Sequence, residues 1–121
     1  MALSPYLASA LCQHVLRGTP YAPPEQVYLA LYTDATTECA ASGYARQAVS
    51  FGADQDGQGR SSTAPSFGPL AGSGRITHAA LTDAVSGGNL LTAITGLAEP
   101  RSWGERDTIV FALGDVTFGI S

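Results

Sequence analysis

The stretch Val27-Tyr28-Leu29-Ala30-Leu31-Tyr32-Thr33 decides how the rest of the chain is read. Val27, Leu29 and Leu31 alternate with Tyr28, Ala30 and Tyr32, a period of two that specifies a strand, and neither set is strongly polar. A strand apolar on both sides is covered on both faces. Downstream, short segments of the same kind recur between turn residues. Tyr44–Phe51 reads as a strand with Ala45, Val49 and Phe51 inward and Arg46 and Ser50 outward. Ser66-Phe67 reads as a short edge strand. Arg75–Thr82 and Asn89–Thr95 read as a pair of strands joined by a turn at Asp83–Gly88, and Thr108–Leu113 and Val116–Ile120 close the chain. The segments Gly52–Ala64 and Pro100–Arg106 read as loops, the second carrying the single tryptophan, Trp103.

Upstream of the first strand the period changes. Ser4 suits an N-cap and Pro5 the first helical position, where a missing N–H costs nothing. Leu7, Ala8, Leu11 and Val15 then form an apolar helical stripe with Cys12 at its flank. Arg17 complements the helix dipole, Gly18 suits the residue after the last turn, and Pro20, Pro23 and Pro24 prevent continuation. One helix followed by about seven short strands predicts an all-β fold, an antiparallel β-sandwich with one N-terminal α-helix. It is organised as a helix and Pro-rich arm (1–24) and a sandwich body (25–121). There is no internal repeat and no α/β alternation.

Composition narrows the function. Of the 121 residues only 13% are charged, the formal charge is −4, and all six basic residues are arginines. These arginines are scattered, whereas a nucleic-acid binder concentrates positive charge on one face; nucleic acid is therefore not an expected partner. No apolar run reaches the roughly 18–20 residues of a membrane span. Met1-Ala2-Leu3-Ser4-Pro5 lacks the basic start of a signal peptide, so the expectation is a soluble protein made in the cytoplasm. Low charge, abundant Ser and Thr and 14 glycines suit a surface that packs against other protein.

Chemistry-bearing motifs are scarce. His14 and His78 are the two histidines, and no Gly-x-Ser-x-Gly elbow in a strand–helix context accompanies them. His78 reads as a strand residue on the side of Ile76 and Ala80. Asp54-Gln55-Asp56-Gly57-Gln58-Gly59 faintly resembles a calcium loop, but Pro65 stands where the bidentate Glu belongs, so an acidic turn is expected there and no metal. Gly57-Gln58-Gly59-Arg60 has no following helix to hold an anion. Glu99, Glu105 and Asp107 read as solvated loop charges. Cys12 and Cys39 are too few for a disulfide framework, and a bridge between them is disfavoured. No catalytic residue and no cofactor is expected. Leu7, Leu11, His14, Tyr21, Tyr28, Tyr32, Tyr44 and Trp103 are the candidate interface residues, since tyrosine and tryptophan bury large area while keeping a polar tip.

Several segments, in this order, carry a resemblance. They are Leu16–Tyr21 (Leu-Arg-Gly-Thr-Pro-Tyr), Pro23–Thr33, Gly43–Gly52, Arg75–His78 and Asp83–Leu91. Together they resemble a family of small tailed-bacteriophage virion proteins, described as tail fibre, minor tail or head-decoration proteins. Ala79 and Ala80 depart from it, because relatives carry a glycine and an aromatic after the Thr-His pair. The resemblance implies a structural, non-enzymatic protein made in the host cytoplasm and built into a virion. The partners it implies are further copies of the chain (a homo-oligomer, for example a trimer) and other virion proteins, such as the major capsid protein or tail proteins. With no shaft repeat in the chain, a capsid decoration (cement) subunit is the first expectation. A tail or neck fibre or adaptor subunit is the alternative, and a carbohydrate- or receptor-binding β-sandwich using the tyrosines and Trp103 is a further one. The arm Leu3–Pro24 is expected either to anchor a partner or to cap one open end of the sandwich.

Overall fold

The computed structural model describes residues 1–119. Helix α1 (Pro5–Arg17) precedes eight strands: β1 (Val27–Tyr32), β2 (Gln47–Val49), β3 (Gln58–Arg60), β4 (Ser66–Leu70), β5 (Gly74–Thr82), β6 (Thr95–Trp103), β7 (Asp107–Val110) and β8 (Thr117–Gly119). All pairings are antiparallel. A four-stranded sheet in the order β2-β1-β5-β6 faces two ribbons, β3-β8 and β4-β7. The fold class is that expected, with eight strands described rather than about seven; Ile120, read as part of the last strand, lies outside the described residues.

The central strand behaves as its sequence dictates. In the β1–β5 register Leu29 sits opposite Leu81 and Leu31 opposite Ala79, while Ala30 faces Ala80 and Tyr32 faces His78. Directly opposed residues share a face. Leu29, Leu31, Ala79 and Leu81 therefore enter the main core, with Ile76 and Val49 of the same sheet and Phe67, Leu70 and Ile109 of the β4-β7 ribbon. On the reverse face Ala30, Tyr32 and Ala80 form a second small core under Leu90 and Ile94. Both faces of β1 are covered.

Three expectations are corrected. The segment Asn89–Thr95 is not a paired strand. Leu91 N–H bonds to Leu81 O (2.8 Å), Ser4 N–H to Leu91 O (3.0 Å) and Ala93 N–H to Ala2 O (3.0 Å), so its backbone groups are satisfied by β5 and the N-terminus in turn. The returning strand is instead β6, which contains Pro100 and Trp103. Proline argues against a central strand but not against an edge strand, and β6 is the edge of its sheet, with residues 97–100 left out of the pairing where the register breaks. That break lies between Ile76 and His78 on β5. It places Ile76 on the main-core side and His78 with Tyr32 and Ala80 on the other, against the expected shared side for Ile76 and His78. Finally, Gly52–Ala64 contains strand β3. Gln55 and Gln58 exchange backbone hydrogen bonds (2.8 and 3.0 Å), and Asp56 and Gly57 both take positive φ (54° and 81°). This is the Asp-Gly hairpin turn whose twist matches its flanking strands.

Candidate docking surface

Helix α1 is fixed at its start and free at its end. Ser4 Oγ accepts from Leu7 N–H (3.1 Å) and donates to Leu90 O (2.6 Å), tying the N-cap to the body. Leu7 is buried and Leu11 half-buried. Every residue from Cys12 to Pro20 is exposed, with Val15 and Leu16 at 75% and 76%. Leu7, Leu11 and Val15 lie about one turn apart on neighbouring angles of the helix. They make one apolar ridge whose burial fades towards its C-terminal end. That end is nonetheless well formed: Gly18 adopts φ 69°, and the N–H groups of Gly18 and Thr19 bond to His14 O and Gln13 O. His14 Nδ1 lies 2.9 Å from Thr19 O.

Beside the ridge lies an open groove of about 420 Å³. Leu7 and Leu11 line it from the helix, and Val27, Phe51, Leu81 and Phe118 are among those that line it from four other segments. Gly59 lines it beside the Phe51 ring. Among the described residues Asp54 is the one charged side chain lining the groove. Tyr21, half-buried, lines it too, and its hydroxyl pKa is raised by burial and then by the neighbouring Tyr6 and Asp83.

The other predicted interface residues are dispersed. Tyr32 (5% exposed) and Trp103 (8%) belong to the chain's own interior and so offer no free face to a partner, and Leu7 (5%) reaches the surface only as part of the groove wall. Trp103 Nε1 donates to Ala71 O (3.2 Å), and its ring lies over Gly74, where any side chain would collide with it. The polar tip of Trp103 is thus satisfied within the chain. Tyr28 is half-buried opposite Thr82.

Tyr44 belongs to a polar knot. Its hydroxyl donates to Glu38 Oε2 (2.6 Å) and accepts from Leu31 N–H (3.0 Å), and its ring stacks on Phe67 at 6.0 Å. Burial, and then the Glu38 carboxylate that holds its proton, raise its pKa. Arg46 grips the same carboxylate through Nε and Nη2 (2.9 Å each), and its Nη1 reaches Ala84 O (3.0 Å) and Gly87 O (2.8 Å). Burial works against the charge on Glu38. The bonds from Arg46 and Tyr44 and the guanidinium charge outweigh it and hold the carboxyl below its ordinary range. Arg46, expected to point outward, is instead drawn inward, while Ala45, expected inward, is exposed. The guanidinium finds partners across two connections that a solvent-facing arginine would lack.

Elsewhere, His78 Nδ1 lies 2.8 Å from its neighbour Thr77 Oγ1, whose hydroxyl donates to Thr33 O. Asp54 Oδ2 accepts from Gly57 N–H (3.3 Å), so the acidic stretch is a turn, and no group of three metal-ligating side chains forms among the described residues. Cys12 is exposed and Cys39 buried, and both are free thiols. No described helix is long and apolar enough to cross a membrane.

The groove and the uncovered helix end gain a context from comparison with known proteins. The sequence matches the family described as Podophage GP4 fiber I protein gp80 over residues 2–119. The chain belongs to that family. It is accordingly a tailed-phage virion protein of fibre type by family. No curated protein matches the chain. The family match takes in the arm, the groove and both ribbons, so the groove and the helix end lie wholly within the matched region. The groove itself was not legible as such in the sequence. Leu7 and Leu11 are marked by helical period and Phe51 by its inward place in a strand, but their convergence with Phe118 depends on long-range pairing.

Proposed function

We propose that the chain is a structural subunit of a podophage fibre, working through protein–protein contacts. The family match across residues 2–119 carries this reading, and it favours the fibre alternative over the capsid-decoration role expected first from the sequence. An apolar groove beside an exposed helix end supports a role in assembly. The burial of Tyr32 and Trp103 counts against a carbohydrate platform built on those rings. On this reading the partners are other virion proteins and further copies of the chain.

The test is location. Purified particles of the phage that encodes the chain, labelled with antibody against it and imaged by electron cryomicroscopy, should show density at the fibres and a copy number well below that of the shell subunit. Label spread over the capsid lattice at shell stoichiometry would overturn the fibre reading in favour of decoration.

A further inference from the structure

We propose that the groove is a self-docking site: the exposed end of α1 from one copy, carrying Val15 and Leu16, seats over the groove of a second copy. This deepens the fibre-subunit reading by naming a partner and the surface that meets it.

The two halves fit by chemistry. The groove is lined almost wholly by carbon, and it lacks the placed polar groups that would orient a small polar ligand. Val15 and Leu16 are among the most exposed large apolar side chains of the chain. The groove is continuous with the Leu7-Leu11-Val15 ridge, so an occupant covering it would meet an uncovered apolar edge on its own host as well.

Charge is complementary too. Residues 1–24 contain no Asp or Glu, and Arg17 is their one arginine. Asp54 is the groove's charged side chain among the described residues. A helix end that brings Val15 and Leu16 to the groove brings Arg17 with it, one residue away.

Conformation points the same way. Short helices are marginal in water without tertiary contacts. Yet the last turn and a half of α1, which touches none of the core, ends in a left-handed Gly18 with both following N–H groups bonded. The arm is presented in a fixed shape, which lowers the ordering cost of association. An arm-to-groove contact joins different surfaces of two identical chains. Such heterologous contacts close into rings or extend as filaments, either of which serves a fibre.

The experiment uses the full chain in sedimentation velocity, from low to several hundred micromolar. The wild type should associate with rising concentration. Val15→Asp/Leu16→Asp should weaken association by about a hundredfold, roughly tenfold for each apolar side chain withdrawn. Its circular dichroism should be unchanged, because both side chains are exposed within one chain. Arg17→Asp and Asp54→Arg should each weaken association, and the two together should recover part of it. A wild type that stays monomeric throughout, or an association indifferent to Val15→Asp/Leu16→Asp, overturns self-docking. So does a monomeric wild type whose groove variants lose only incorporation into particles, which would assign the groove to a different virion protein. A monomer that nonetheless labels the fibres refutes self-docking alone. A chain that associates as described but labels the capsid lattice refutes the fibre reading alone.

Discussion

Replacing Arg46 by Ala tests whether the fold depends on a polar knot. The guanidinium makes four hydrogen bonds, two to Glu38 and one each to Ala84 O and Gly87 O, and so ties the β1–β2 connection to the 83–88 turn. Breaking a fully buried pair costs about 3–5 kcal/mol, and breaking an exposed one about 0–1. Here the side chains are 10% and 29% exposed, Arg46 the more buried, so the value falls between these limits. We expect about 2–3 kcal/mol, since Glu38 keeps its bond from Tyr44 and water can reach Gly87 O. For a domain of this length that lowers Tm by roughly 6–15 °C. Glu38→Gln alone should cost about 1–2 kcal/mol, and the double variant should cost less than the sum by at least about 1 kcal/mol. The readout is urea and thermal unfolding by circular dichroism at one fixed protein concentration. Acid sharpens the test. The folded-state pKa of Glu38 lies below its unfolded value, so its contribution is fully present above about pH 4.3 and disappears as pH falls through the lower, folded value. The gap between wild type and Arg46→Ala should therefore narrow on acidification below that range, leaving the share that rests on Ala84 O and Gly87 O. An Arg46→Ala loss under about 0.5 kcal/mol, additive single effects, or a gap that does not narrow in acid would refute the reasoning.

Gly74→Ala places a Cβ against the Trp103 ring, which is itself held by Ala71 O; about 1–3 kcal/mol should be lost and the tryptophan emission should shift to the red, and an unchanged spectrum would contradict that packing. Ser4→Ala removes both the cap on α1 and the bond to Leu90 O, so unfolding should be easier by about 1–2 kcal/mol, with faster amide exchange at Leu7 as the local sign. Gly57→Ala puts a side chain at φ 81° in the Asp56-Gly57 turn and should cost about 1–2 kcal/mol, whereas Gly52→Ala, with open space around it and no left-handed backbone, should sit within about 0.5 kcal/mol of wild type.

What the sequence disclosed and what it withheld divide along a physical line. Period and caps are local, and they placed α1, β1 and β5 because each was marked within its own residues: Ser4-Pro5 and Gly18 at the helix ends, alternation through Val27–Tyr32. The hairpin at Asp56-Gly57 was marked in the same way. Its Asp-Gly pair is a turn signal, but without flanking apolar alternation at Gln55 and Gln58 it read as a loop. Pro100 hid β6 because a proline excludes a strand only if that strand has neighbours on both sides, and edge position is a property of the whole sheet. Side choice failed for the same reason. A single register break after Ile76 reverses which residues face the core, and nothing local to Thr77-His78 announces it. The candidate site follows this rule. Tyr44 and Trp103 carry the signature of interface residues, a large ring with a polar tip, but that signature equally describes a ring packed inside with its tip bonded there. Which of the two applies is decided by partners such as Leu31 N–H and Ala71 O, which long-range topology delivers. The most exposed of the large apolar side chains are Val15 and Leu16, ahead of Leu113 and Val85, and the helical reading assigns the first to a stripe and passes over the second. Their exposure is informative because the chain buries comparable side chains elsewhere, so the surface to examine for assembly is the end of α1 rather than the aromatic strands.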